Sequence, residues 1–447
     1  LAGFIGYAFQ GIGKFAAVYI PLEPYICGII IIGTTTLYVL LGGLYGVVVT
    51  NVIQTVILIF SSIVIAAVAY NQLTPEIISR SIPGDWNSLL PVWRLEHLAG
   101  TENAQYELFG ALVIVWVVKG LLLNAGGPAQ MYDFQTFLAS RNPRDASKLG
   151  ATWSVFLIVR WGMTMGITLL AITGITQVTD PEQVMPIVLK QFLPIGFRGI
   201  VIAGLLAAFM STFSATVNSA ASYIVRDIWQ PYFRPDAGEK QLVRAGYVST
   251  VTIVLVGIVL GLYATSIAHI WNWLMMALGA GVIIPNMLRW YWWRMNGWGY
   301  ASGTVVGILL SLIVLFFPQA PMYTFFPLIV ISSLAGCIIG SFAAPPVDKK
   351  ILVSFYRSVR PFGLWQPIRG NAGLSSEELS EVSESASLTI LNVALGIIAI
   401  TGYYLFPMYL VGHWHTYSLI CLGCALVSTV VLIFTWYKNL PQVDIVN

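Results

Sequence analysis

Charge is what this chain has least of. Asp, Glu, Lys and Arg together make up 9% of its 447 residues, against 57% hydrophobic, and the mean hydropathy is +0.80. A water-soluble domain carries about a quarter of its residues as charges, so that class is excluded. Cysteine is scarce as well. Cys27, Cys337, Cys421 and Cys424 all lie in apolar stretches, which excludes a disulfide framework. Cys421 and Cys424 have CxxC spacing, but between Ile420 and Ala425 they read as packing residues, not a redox or zinc pair. Of four histidines, His413 and His415 flank Trp414 in a short polar connection, and none gathers with acids inside an apolar stretch. That leaves hydrolytic or metal catalysis without its groups, and the chain is not expected to be an enzyme. The net charge of +3 is spread among connections, with no basic patch of the kind that holds nucleic acid. The chain opens on Leu1 with no signal peptide and an immediate apolar run, and reads as lacking an N-terminal part.

What is present is a succession of apolar runs long enough to cross a bilayer. They fall at about 2–18, 25–45, 47–70, 109–137, 149–176, 196–225, 245–265, 268–293, 300–318, 324–345, 388–410 and 416–437. Backbone amides in lipid must be satisfied within each segment, so these are expected to be helices, and the fold class is an all-α polytopic membrane protein. Fifteen of the 22 Lys and Arg fall in alternate connections, among them Arg141, Arg144, Lys148, Arg226, Arg289, Arg294, Lys349 and Lys350. The positive-inside rule makes that side, and the C-terminus, cytoplasmic in a cell membrane. The connection 71–107, with five acids and the turn signal Pro83-Gly84, is then external.

Two segments carry chemistry. In the run 109–137, Asn124-Ala125-Gly126-Gly127-Pro128 interrupts the helical pattern, since paired glycines are unconstrained and proline donates no backbone hydrogen bond. The spacing predicts unwinding there, or a simple proline kink. Broken membrane helices persist where a cavity or protein satisfies the freed groups, and transporters bind solutes at such breaks. Tyr132, Asp133 and Gln135 follow closely, while Lys119 lies on the preceding turns.

The second segment is 203–227. At helical spacing Ala208, Ser211, Thr212, Ala215, Ser219 and Ser222 share a face of small and hydroxyl residues. Such a face packs helices closely, or offers hard oxygens to a cation such as Na+.

The order Ala208-x-x-Ser211-Thr212, then Asn218-Ser219 and Arg226-Asp227, resembles the eighth core helix of the sodium:solute symporter family. Leu41-Gly42-Gly43-Leu44 with Thr50-Asn51-x-x-Gln54, Tyr132-x-x-Gln135 and Trp293-Arg294 are similar to further landmarks of that family, in the family's order over about residues 1–300. The resemblance implies a LeuT-like inverted-repeat fold reached alternately from either side, with residues 2–18 as core helix three and the first core helices missing. It implies a transporter core over 1–295, two additional membrane helices over 296–345, a cytoplasmic linker over 346–387 and a C-terminal helix pair over 388–447. It also implies a Na+ site formed by the Ala208 carbonyl and the Ser211 and Thr212 hydroxyls. A second Na+ site used by some members is expected to be absent, because Asn51 and Ala215 replace two of its oxygen ligands.

The solute is expected to meet Tyr132, Gln135, Asn124, Lys119, Arg160 and Asn272, the last within Trp271-Asn272-Trp273. The expected function is therefore uptake of a small polar solute, a sugar before an organic acid or amino acid, coupled to Na+ entry across the lipid bilayer. A non-transporting membrane sensor of the same fold is the alternative.

Overall fold

The structure, a computed structural model, describes residues 1–82, 84, 86–101, 104–126, 137, 140–174, 180–264, 266–274, 279–314, 321–373 and 386–440, the side chains of 42–51, 269 and 386 excepted. In chain order the helices are α1 (Ala2–Ala17), α2 (Pro24–Gln72), α3 (Pro75–Ser81), α4 (Phe109–Ala125), α5 (Pro143–Gly174), α6 (Val184–Phe192), α7 (Ile195–Tyr223), α8 (Glu239–Tyr263), α9 (Ile267–Asn272), α10 (Gly279–Tyr291), α11 (Gly297–Val314), α12 (Met322–Ala343), α13 (Lys349–Val359), α14 (Gln366–Arg369), α15 (Ala386–Val411) and α16 (His415–Thr435). A π-helical turn over Ile224–Trp229 carries α7 onward to Phe233. No described residue belongs to a β-strand longer than a single bridge.

Among the described residues, nine segments are long and apolar enough to span a membrane, and the chain is an integral membrane protein. The runs 25–45 and 47–70 are joined in the single helix α2. At about 1.5 Å per residue its 49 residues extend about 74 Å, more than twice the roughly 30 Å of a hydrocarbon core. Each half has its own membrane-length window, Pro24–Leu41 and Val52–Gln72. Gly42-Gly43 lacks the proline that would remove a backbone donor, so helical hydrogen bonding runs through. Within the run 268–293, α9 extends to Asn272 and α10 starts at Gly279, and 275–278 lie outside the described residues.

Two compact units result. The first comprises Leu1–Asn87, Ala139–Ile267 and Ser387–Asn447. Its core is aliphatic and aromatic, with Ile5, Phe9, Ile65, Leu169, Leu189, Phe213 and Val217 all at 2% exposure or less. Helix α2 is the common support, contacted by α1, α5, α7 and α8. Gly204 of α7 allows the close approach: a Cβ there would lie 2.6 Å from Ser61 Oγ and 3.1 Å from Ile57 Cγ2 of α2.

The second unit comprises Ser88–Leu138 and Ala268–Ala386. Here α4 and α10 pack with the antiparallel pair α11 and α12 around Val115, Ile283, Phe326, Ile329 and Cys337. Gly299, Gly303, Gly307 and Ser311 recur every four residues along the buried face of α11. A side chain at Gly303 would overlap Cys337 Sγ and come within 2.9 Å of the Ser333 carbonyl. Hydroxyls close the seam: Ser302 Oγ donates to the Gly336 carbonyl (2.7 Å), and Ser333 Oγ to the Gly281 and Gly303 carbonyls (3.0 Å each).

Candidate functional site

Helix α7 changes partners along its length, and the change falls where the oxygen ligands were expected. Val201 and Gly204, on the small-residue face, are buried. From Ala208 onward the same face is uncovered within its unit: Ala208, Ser211, Ala215 and Ser219 are half-buried, and Thr212 and Ser222 are exposed. Burial passes to the other side of the helix, to Phe213, Ser214, Thr216, Val217, Ala220 and Ala221. The small hydroxyl face is thus not the surface that packs the lower half of α7 into its own unit.

Hydrogen bonding orients the oxygens. Thr212 Oγ1 donates to the Ala208 carbonyl at 3.1 Å, which turns the hydroxyl proton inward and leaves its lone pairs outward. Ser214 Oγ donates to the Ser211 carbonyl (2.9 Å) and Thr216 Oγ1 to the Thr212 carbonyl (2.9 Å), so these two hydroxyls are engaged along the buried side. The oxygens of Ala208, Ser211 and Thr212 are uncharged, a set suited to a weakly held Na+ and unsuited to a tightly held divalent metal. No group of three His, Cys, Asp or Glu capable of holding a metal occurs among the described residues.

The candidate solute residues are divided between the units. Arg160, in the first, projects from the middle of α5, is exposed, and has its charge within electrostatic reach of Tyr7 on α1 and Tyr404 on α15. Lys119, Asn124 and Asn272 belong to the second. Lys119 is 7% exposed, on the side of α4 that carries Leu112 and Val115, with its ammonium 4.4 Å from the Trp116 ring centroid. Asn124 is exposed, and its Nδ2 donates back to the Gly120 carbonyl at 2.7 Å. Asn272 is half-buried at the last turn of α9. Helix α4 ends at Ala125 with Gly126 as its C-cap, at the position where unwinding was predicted. Gly127, Pro128, Tyr132, Asp133 and Gln135 lie outside the described residues, as does the Asn51 side chain.

An ion cluster escaped the sequence reading. Lys14 Nζ donates to Asp180 Oδ2 (2.9 Å) and to Glu182 Oε2, tying the end of α1 to the connection before α6. Tyr19 Oη to the Pro186 carbonyl (2.8 Å) and Lys190 Nζ to the Val18 carbonyl (3.0 Å) reinforce that tie. The only hint in the sequence was a lysine inside an otherwise apolar run with two acids far along the chain.

The model of the sodium:solute symporter family matches residues 5–81 and 146–307. The osmoregulated proline transporter OpuE of Bacillus subtilis is 23% identical over 323 residues, 69% of this chain and 62% of the relative. The sodium/glucose cotransporter of Vibrio parahaemolyticus is 26% identical over 332 residues, covering 67% and 58%. The human high affinity choline transporter 1 is 27% identical over 327 residues, covering 68% and 52%. The chain therefore spans less than two thirds of the length of these relatives. A solved structure of a Na+-coupled sialic acid symporter, in a substrate-bound outward-open state, superposes with a TM-score of 0.55 over 77% of this chain and 74% of that one, at 15% identity, which shows a shared fold.

Proposed function

The chain belongs to the sodium:solute symporter family, and from that premise we propose that it is a secondary active transporter coupling Na+ entry to uptake of a small polar solute. The single observation that carries the proposal is the face of α7 on which Ala208 and Ser211 are half-buried and Thr212 is exposed, so that their oxygens are not enclosed by helix packing. Na+ is cargo here, held by one carbonyl and two hydroxyls and released when the chamber opens to the other side. One sodium per cycle is the stoichiometry this ligand set supports. Each charge crossing the field contributes about 2.3 kcal/mol per 100 mV, enough for tens-fold accumulation of a neutral solute.

Sugar is the favoured solute class, met by Tyr132, Gln135, Asn124, Lys119, Arg160 and Asn272 within a core over residues 1–295. One observation favours a second reading. The exposed, mid-span guanidinium of Arg160 suits bidentate recognition of a carboxylate, as in an organic acid or amino acid. The relatives named above include transporters of proline, glucose and choline, so the family alone leaves the class open.

The test is accumulation in proteoliposomes under an inward sodium gradient, with a panel of sugars, amino acids and organic acids. Uptake that collapses when potassium replaces sodium supports the reading. Accumulation indifferent to that exchange refutes it.

A further inference from the structure

Helices α11 and α12 are membrane spans, and α13 begins at Lys349, six residues after α12 ends at Ala343. A connection that short reaches at most about 20 Å, so α13 stays near the membrane surface. Its far end is pinned there too. Leu364 N donates to the Tyr291 carbonyl (2.7 Å), Trp293 N to the Leu364 carbonyl (3.4 Å), and Trp365 Nε1 to the Trp290 carbonyl (2.8 Å), all at the end of α10. Gly363 makes the approach possible: its φ is +104°, and a Cβ would lie 2.5 Å from the Tyr291 carbonyl oxygen. A small core of Leu352, Tyr356, Trp365, Ile368 and Ala372 fixes the segment as a folded piece.

Its outer surface has two properties together. Between residues 344 and 373 there are five basic residues and one acid, Asp348, which caps α13 by accepting from Lys350 N at 2.8 Å. Lys349 and Lys350 are exposed at the start of the helix. Beside them Ile351 (62%), Val359 (45%), Phe362 (49%) and Leu364 (66%) are exposed, an apolar edge that water does not favour. At the end of α10 the Arg289 guanidinium lies 5.5 Å from the Trp290 ring centroid, while Arg294 lies 5.4 Å from that of Phe342 and donates through Nη2 to the Ala344 carbonyl (3.0 Å), so both are engaged within the protein and the exposed charge is that of Lys349 and Lys350.

We propose that α13 and the loop to Leu364 form an interfacial docking site for anionic phospholipid headgroups of the adjoining leaflet. Lys349 and Lys350 meet the phosphodiester, and Ile351, Val359 and Phe362 enter the acyl boundary. An amphipathic helix with a basic face and an exposed apolar edge lies in the interface in this way.

The proposal is independent of what the protein transports, and its test reads lipid alone. The whole chain is purified from bilayers of phosphatidylcholine with a minor share of phosphatidylglycerol, and the lipids it retains are counted by native mass spectrometry as detergent is raised. Wild type is expected to keep phosphatidylglycerol in preference to phosphatidylcholine. Replacing both lysines, K349Q with K350Q, is expected to weaken that retention by about fivefold per charge. Both side chains are exposed, so the variant is expected to melt with wild type. I351D is expected to abolish the preference by carrying a charge into the acyl boundary. Equal retention of the two lipids by wild type overturns the proposal, as does unaltered retention by the double lysine variant. Displacement of the lipid by inorganic phosphate at millimolar concentration assigns the basic groups to a soluble anion and also overturns it.

Discussion

The ammonium of Lys14 sits 2.9 Å from Asp180 Oδ2, so a charge in the last turn of α1 is answered by a carboxylate 166 residues away. Partial burial works against the charge on Asp180, but the Lys14 ammonium and the Glu182 backbone N–H outweigh it and hold the carboxyl below its ordinary range.

A pH dependence follows from that sign. A carboxyl whose pKa is lower folded than unfolded contributes stability above its unfolded value and loses it as pH falls through the folded one. D180N is therefore expected to melt below wild type at neutral pH, by about 0.5–1 kcal/mol for a group one-third exposed. The gap should close below about pH 4. Thermal unfolding in detergent across that range checks it, and a gap that widens in acid would contradict the assignment.

The oxygen pair on α7 gives a second prediction. T212A removes an oxygen 3.1 Å from the Ala208 carbonyl and is expected to raise the sodium concentration for half-maximal transport about tenfold, roughly 1.4 kcal/mol. S211A should act in the same direction and T212S should retain wild-type affinity. Radiosodium binding to the purified chain gives the same comparison without a solute. Because Thr212 is exposed within its unit, T212A should leave the melting temperature unchanged.

Arg160 separates the solute classes. For a carboxylate solute, R160Q is expected to lower uptake at least about tenfold, with R160K recovering part of it and sodium binding unaffected. For a neutral sugar, which offers the guanidinium only uncharged acceptors, R160Q is expected to lower uptake less, by about two- to fivefold. Measuring R160Q against the solute panel decides between them.

Close packing of α11 and α12 makes a stability prediction. G303L forces a side chain into Cys337 and the Ser333 carbonyl and should cost about 1–3 kcal/mol or more. G297L, at the exposed start of α11 with nothing within 4 Å of its Cβ, should be close to neutral. Melting temperature in detergent distinguishes the two.

Much of this was legible in the sequence because the bilayer leaves few options. Apolar length gave nine membrane-length segments among the described residues, with α7 near its expected limits, while α1, at 16 residues, is not among them. The end of α4 at Ala125, capped by Gly126, lies at the start of the Asn124–Pro128 stretch, whose Gly127 and Pro128 fall outside the described residues. Continuity of α2 through Gly42-Gly43 was not legible, since two glycines permit either a bend or a helix and neighbouring helices decide. Nor was the direction of Lys119, because a lysine in an apolar helix points wherever packing leaves room, here beside Trp116. The cluster at Lys14 joins residues remote in sequence, a relation that no local pattern encodes. The four-residue recurrence of Gly299, Gly303, Gly307 and Ser311 was there to be read, and it marks the most tightly apposed helices in the second unit.

That apposition limits how this part of the molecule can move. Helices α11 and α12 interlock backbone to backbone, hydroxyls stitch them along their length, and at the end away from their connection Asn296 Nδ2 donates to the Ser341 carbonyl at 3.1 Å. Sliding one past the other would break several of these links at once, while tilting both together breaks none. The pair is a two-ply beam, and any shape change that reaches it must carry both plies as one.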